Sequence, residues 1–169
     1  MAELNPIQRV KEKFPDKIAE LWERSPKRIY ITVGREDAKD VVRYLFEDLG
    51  ARFIIMTALD TRQGIEILYH FSFDTLSKIV SIRTLAPMPF PEIETVSLII
   101  PGAEYIEREI HDILGVNFRN HPNLTRFILG DDWPEGVYPY RKEHKGQYPY
   151  RTEEEQELFR KEIRSKWEK

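Results

Sequence analysis

The chain has 169 residues, 41% hydrophobic and 33% charged, with 26 basic against 29 acidic side chains and a net charge of −3. That size and apolar content suit one domain with an extension, and the charge balance supplies no basic field for nucleic acid. Cysteine is absent, which excludes disulfides and cysteine-ligated iron–sulfur clusters within this chain. Asn5-Pro6 opens a predicted helix with Ile7, Val10 and Phe14 on one side. Pro15-Asp16 breaks or restarts it, and Ile18, Leu21 and Trp22 continue the helical apolar face. Arg28–Val33 reads as a strand. Asp37–Leu49 is the clearest helix: Ala38, Val41, Val42, Leu45, Phe46 and Leu49 share one face, and Gly50 ends it.

Three strands are expected next. Ala51–Leu59 is the first, and Asp60–Gly64 is a hairpin-type turn. Ile65–Phe73 alternates, with Ile65, Ile67, Tyr69, Phe71 and Phe73 on one face. Asp74-Thr75 turns the chain, and Leu76–Leu85 returns. The predicted fold is α+β, a two-layer domain with a four-stranded mixed sheet and helices on one face. Pro87, Pro89 and Pro91 mark the exit from the sheet. Glu92–Ile100 is ambiguous, being β-branched but leading into a helix.

That helix is short and heavily charged. Ala103, Ile106, Ile110, Ile113 and Leu114 form its apolar stripe, Pro101 suits its first turn, and Gly115 sits where a left-handed residue is wanted. Glu104, Arg108 and Asp112 are spaced for an acid–base–acid ladder on the exposed side, worth about 0.2–0.5 kcal/mol per pair. Residues 116–140 are too apolar for a disordered linker and too irregular for a long helix or strand. Irregular segments beyond about 12–15 residues are usually functional or disordered. Phe118, Leu124, Phe127, Ile128, Leu129, Trp133 and Tyr138 make docking on a protein partner the expected function. Tyr138-Pro-Tyr-Arg141 recurs as Tyr148-Pro-Tyr-Arg151, two proline-stiffened units that each present two rings and a guanidinium. Thr152-x-x-Glu155 then caps a terminal helix, whose thin stripe of Phe159, Ile163 and Trp167 suits a neighbour better than the domain's own core.

Signals for chemistry are sparse. Glu107 and His111 stand at i, i+4, a spacing that can chelate a metal, but no further ligand pair accompanies them. His70 falls on the polar side of its strand and is expected to be exposed. His121-Pro122 reads as a turn anchor whose ring bonds to backbone. No serine stands in a glycine-flanked elbow, and no glycine-rich phosphate loop is present. No catalytic, cofactor or metal residue is assigned. A stand-alone enzyme would have to use Glu107, Glu109, His111 and Asp112 as an acid–base cluster. No run approaches the ~18 apolar residues of a membrane span. The first residues lack a basic region followed by an apolar one, so a cytoplasmic protein attached to any membrane through partners is expected.

Glu107-Arg108-Glu109, Asp112, Leu114-Gly115, Phe118, His121-Pro122, Leu124, Arg126, Leu129, Asp131-Asp132-Trp133, Pro139 and Arg141-Lys142 resemble the signature of the 30 kDa subunit family of respiratory complex I. Asp131-Asp132-Trp133-Pro134-Glu135-Gly136-Val137-Tyr138-Pro139 is most similar to the homologous subunit of membrane-bound, energy-converting [NiFe] hydrogenases and formate hydrogenlyases. Tyr140 before Arg141-Lys142-Glu143, and His111 where the family commonly has another side chain, depart from the pattern.

The resemblance implies a non-catalytic peripheral-arm subunit of a membrane-bound, ion-translocating redox complex. Its implied partners are a large hydrogenase-like subunit and a small iron–sulfur subunit, with the membrane arm reached indirectly and no insertion of its own. It implies no cofactor in this chain, with iron–sulfur clusters and a [NiFe] centre held by other subunits. The 30 kDa-type subunit of an NADH–quinone oxidoreductase is the alternative. The expected division is a domain over residues 1–115 and an extended, partner-wrapping tail over 116–169. The expected interface comprises Glu107, Arg108, Glu109, Asp112, His121, Arg126, Asp131, Asp132, Trp133, Tyr138, Tyr140, Arg141, Tyr148, Tyr150, Phe159, Ile163 and Trp167. Within it, Arg108 would bridge Glu104 and Asp112, leaving Glu107 and Glu109 to meet Arg126, Arg141 or a partner.

Overall fold

The computed structural model describes residues 6–144 and, beyond them, Glu157 and Lys161. The elements run α1 (Pro6–Lys13), β1 (Ile18–Ser25), β2 (Arg28–Val33), α2 (Ala38–Arg43), β3 (Arg52–Asp60), β4 (Gly64–Phe73), β5 (Lys78–Pro87), β6 (Glu92–Glu94), α3 (Ala103–Leu114) and β7 (Asn117–Arg119). The main sheet has five strands in the order β1-β2-β5-β4-β3. β3, β4 and β5 form the expected antiparallel meander, β2 joins β5 in parallel, and β1 closes the far edge antiparallel to β2. The fold is therefore α+β with a mixed sheet, as expected, but with five strands rather than four.

The additional strand is β1, whose Ile18, Leu21 and Trp22 were expected to continue a helix. Register irregularities between Ile18 and Glu20 and between Glu23 and Ser25 break the two-residue alternation. The half-buried positions become Ile18, Leu21 and Ser25, a spacing that imitates a helical stripe. Pairing with β2 decides the conformation, and Trp22 stacks on Tyr30 across it, ring centroids 5.3 Å apart.

One face of the sheet carries the core. Ile29, Ile31 and Val33 of β2, Val80 and Ile82 of β5, and Ile65, Ile67, Tyr69 and Phe71 of β4 pack with Ile7 and Val10 of α1, Val41, Val42 and Leu45 around α2, and Ala103, Ile110 and Leu114 of α3. Each fully buried aliphatic or aromatic side chain contributes roughly 1.5–3 kcal/mol relative to exposure. The predicted second helix is present, but its last turn, Tyr44–Asp48, widens to a π form in which Leu49 N–H reaches the Tyr44 carbonyl (3.0 Å). The ambiguous stretch after Pro91 resolves into β6, which pairs in parallel with β7, followed by turns into α3. Arg119 of β7 pairs with Glu94 of the neighbouring β6 (3.1 Å) and ties this small sheet to the segment before α2 through Glu36 (3.0 Å).

Gly64 opens β4 at φ +151°, and a Cβ there would collide with the Ala86 carbonyl and stand 2.9 Å from Pro87 Cα on β5. Gly50 also has a positive φ, +62°, but open space around it. Gly50→Ala is expected to cost about 1–2 kcal/mol, the left-handed penalty alone. Gly64→Ala adds the collision and is expected to cost more, with the larger drop in thermal midpoint. Equal midpoints for the two variants would contradict the close β4–β5 approach.

A candidate docking site around the charged helix

α3 is positioned by its apolar stripe. Ala103, Ile110 and Leu114 are buried, and Gly115 ends the helix at φ +71° with its N–H on the His111 carbonyl (2.8 Å). The charged residues are not a solvated face. Glu107 is completely enclosed: it accepts the Val96 N–H (2.7 Å) and the Thr95 hydroxyl, and His121 Nε2 lies 3.7 Å away. Burial pushes its carboxyl up to about 7, against the hydrogen bonds from Thr95, Val96 and Ser97. The Tyr69 hydroxyl, also buried, has no hydrogen-bond partner among the described residues. Burial and then the charge of Glu107 hold that phenol far above its ordinary range.

The Glu104–Arg108–Asp112 ladder does not form. Arg108 instead donates to the Thr125 carbonyl (3.0 Å), the Thr125 hydroxyl (3.1 Å) and the Arg126 carbonyl (2.8 Å). Its guanidinium also lies over the Phe127 ring, 4.9 Å from the centroid. One oxygen of Asp112 accepts three consecutive backbone N–H groups, those of Phe127 (2.8 Å), Ile128 (2.7 Å) and Leu129 (3.2 Å). Backbone donors pointing into the protein need partners more than a solvated salt bridge needs forming, so the irregular segment captures both side chains. Glu107 is likewise not available to Arg126, Arg141 or a partner; of the four charged residues, Glu109 is the exposed one.

His121 is the turn anchor expected. The Asn123 N–H donates to its Nδ1 (3.0 Å), so Nε2 carries the proton and donates to the Glu104 carbonyl (3.1 Å). His111 contacts the Val116 carbonyl through Nδ1 (2.9 Å). His70 is half-buried rather than exposed, held by the Ser81 hydroxyl (2.7 Å) and the Thr57 hydroxyl (3.1 Å).

Residues 116–144 do not extend away from the domain. Val116 and Phe118 enter the core, and Tyr140 N–H bonds the Ile113 carbonyl (3.0 Å). Arg141 is buried, with Nε on the Leu114 carbonyl (2.6 Å) and its guanidinium over Tyr138. Arg126 donates to the Gly130 carbonyl (3.0 Å). The indole N–H of Trp133 donates to the Val137 carbonyl (2.7 Å). Asp131, Asp132 and Tyr140 are exposed. The helix ends left by α3, and its inward charges, supply partners that an extended tail would lack. Tyr148, Tyr150, Phe159, Ile163 and Trp167 lie outside the described residues, as does the Thr152 cap.

The result is a hydrogen-bonded loop with apolar side chains turned outward. Five hydrogen bonds with Arg108 and Asp112 hold its backbone and a sixth holds the Thr125 hydroxyl, while Phe127 is 49% and Ile128 50% exposed beside Tyr105. By contrast, the acid–base cluster of a stand-alone enzyme is not assembled. Glu107 is in the core, Glu109 is in solvent, and the Asp112 oxygen is occupied by amides. His111 and Asp112 line a groove of about 330 Å³ that neither glutamate reaches. Among the described residues, no group of three or more His, Asp or Glu side chains could hold a metal ion, and no helix is long and apolar enough to cross a membrane.

These features define a class: a mixed α+β domain with one open sheet face, whose charged helix fastens an irregular segment so that it offers a shaped surface. The chain belongs to the family of the respiratory-chain NADH dehydrogenase 30 kDa subunit, whose family model matches residues 31–150. It is 33% identical over 143 residues to the C subunit of the F420H2 dehydrogenase of Methanosarcina mazei, covering 83% of this chain and 90% of that one. It is 30% identical over 146 residues to the beta subunit of the membrane-bound hydrogenase of Pyrococcus furiosus, covering 82% and 83%. Among solved structures, a chain of the membrane-bound sulfane sulfur reductase, an archaeal respiratory membrane complex, superposes with a TM-score of 0.70 at 29% identity, covering 82% of each chain.

The raised Glu107 carboxyl sets a pH dependence. The folded protein holds this proton to about 7, whereas an unfolded glutamate releases it near its ordinary value of 4.5. The contribution to stability is full below the unfolded value and is lost as pH rises through the folded one, by on the order of 3 kcal/mol. Urea unfolding is expected to show this fall between pH 5 and pH 8, and Glu107→Gln is expected to remove it. An unchanged pH slope in the variant would show that Glu107 is not the responsible group.

Proposed function

We propose that this chain is a non-catalytic peripheral subunit of a membrane-bound, ion-translocating redox complex, and that it docks on and stabilises the large catalytic subunit. The observation that carries this reading is the clamped loop. Exposing Phe127 and Ile128 costs burial energy, and six hydrogen bonds hold them in that position. An ordered apolar protrusion binds with less entropy to lose. Its relatives among dehydrogenase and hydrogenase subunits support a place in a multi-subunit assembly. The proposed interface joins Phe127 and Ile128 to Glu109, Asp131, Asp132, Trp133, Tyr138 and Tyr140. Arg108, Asp112, His121, Arg126 and Arg141 shape it from behind. Tyr148, Tyr150, Phe159, Ile163 and Trp167 are assigned to it on their sequence pattern. Iron–sulfur clusters and a [NiFe] centre belong to other subunits in this reading, and attachment to the membrane is through them.

The Asp131–Pro139 motif favours a hydrogenase-type complex. The family match and the higher identity to a dehydrogenase subunit, 33% against 30%, favour an NADH–quinone or related dehydrogenase as the second reading. Purification through a tag on this chain, followed by identification of the partners and assay of hydrogen evolution against NADH oxidation, separates the two.

Truncating a central apolar anchor costs about 2 kcal/mol or more, roughly thirtyfold in affinity. Phe127→Ala is therefore expected to raise the dissociation constant for the partner about thirtyfold, with less complex assembled and the melting of the isolated chain little changed. Complex that does assemble is expected to turn over at a near-normal rate per active site. Normal assembly with collapsed turnover would place this chain in the chemistry and defeat the reading.

A further inference from the structure

The two edges of the main sheet are built differently. β1 carries Glu20, Glu23 and Arg24 within the strand and is interrupted by two register irregularities. Charges and bulges of this kind protect an edge from pairing with another chain. β3 has neither charge nor proline from Phe53 to Leu59, and one irregularity near its start. Its side chains Ile54 (41%), Ile55 (44%) and Leu59 (53%) are exposed. β4 covers one side of β3, and among the described residues no backbone hydrogen bond reaches the other side. Nine residues at about 3.3 Å each make an edge of ~30 Å.

We propose that the outer edge of β3 receives one extended segment of a neighbouring subunit by strand addition, lengthening the five-stranded sheet to six. The inference rests on the reading of this chain as a subunit. The unpaired N–H and C=O groups of a regular strand specify the occupant, because only an extended backbone matches their repeat. Charge narrows it further. Between Arg52, paired with Asp74 (2.8 Å), and Asp60, which accepts the Lys142 N–H (2.8 Å), the edge from Phe53 to Leu59 offers no charge. A charged incoming strand would lose hydration without gaining a partner. The segment is therefore uncharged along its paired length, with apolar side chains beside Ile55 and Leu59. Those two share the open sheet face with Thr57, whose hydroxyl bonds His70 there.

The test is hydrogen exchange at single-amide resolution across β3, in the isolated chain and in the complex purified through a tag on this chain. Alternate β3 amides, those facing away from β4, are expected to exchange fast in the isolated chain and at least 100-fold slower in the complex. If partner subunits co-purify and these amides exchange alike in both samples, strand addition is wrong while docking stands. If no partner co-purifies, the subunit reading fails and this inference fails with it. Protection that appears in the isolated chain and rises with its concentration would assign the edge to a second copy, and would overturn the proposal. The double variant Ile55→Lys, Leu59→Lys is expected to cut assembled complex at least tenfold while leaving the isolated chain's melting unchanged. Assembly at the wild-type level would also overturn it.

Discussion

One carboxylate oxygen of Asp112 gathers the N–H groups of Phe127, Ile128 and Leu129, and the order of the segment after α3 depends on it. Three successive amides aimed at one anion form a compact nest. Hydrogen bonds to a charged group contribute about 1.5–3 kcal/mol each, more than neutral ones. One turn earlier on the same helix, Arg108 takes the carbonyls of Thr125 and Arg126. The anion binds donors and the cation binds acceptors, so a short stretch without helix or strand has its backbone satisfied from both sides. Glu107 does the same inward, on Val96. α3 is thus a row of charged side chains committed to main-chain groups.

This arrangement explains how the irregular segment over residues 120–144 presents a defined surface. The helices occupy one face of the sheet and bury the apolar stripes of α1, α2 and α3 there. The opposite face is left to Trp22, Tyr30, the His70–Ser81 pair and the Arg83–Glu66 ion pair. Two exposed apolar features follow from one layout: a clamped loop at the end of α3 and an uncharged strand edge at β3. In the proposed function both answer the same problem, since a subunit must stay folded alone and still offer groups that gain by being covered.

Much of the fold was legible in the residues because regular elements carry their period on their surface. α2, β2 and the β3–β5 meander follow from alternation and stripe alone. β1 did not, because its bulges convert a two-residue period into a three- to four-residue one. The site was legible as a set of residues but not as a set of partners. Glu107 stands between Ala103 and Ile110 on the apolar stripe, four and three residues away, and that placement marks a buried acid. Arg108 and Asp112 have helical spacing for each other, and the ladder rule favours the pair. Nothing local reveals that residues 125–129 fold back to claim both. Tyr69, Thr95 and Tyr105 entered the site only through tertiary packing.

The order of the loop rests on Asp112, and amide exchange on an Asp112→Ala variant of the isolated chain tests this most directly. The amides of Phe127, Ile128 and Leu129 are predicted to lose their protection while those of β4 and β5 keep theirs. Unchanged protection at residues 127–129 would show that the loop is held by other means, and would contradict the account.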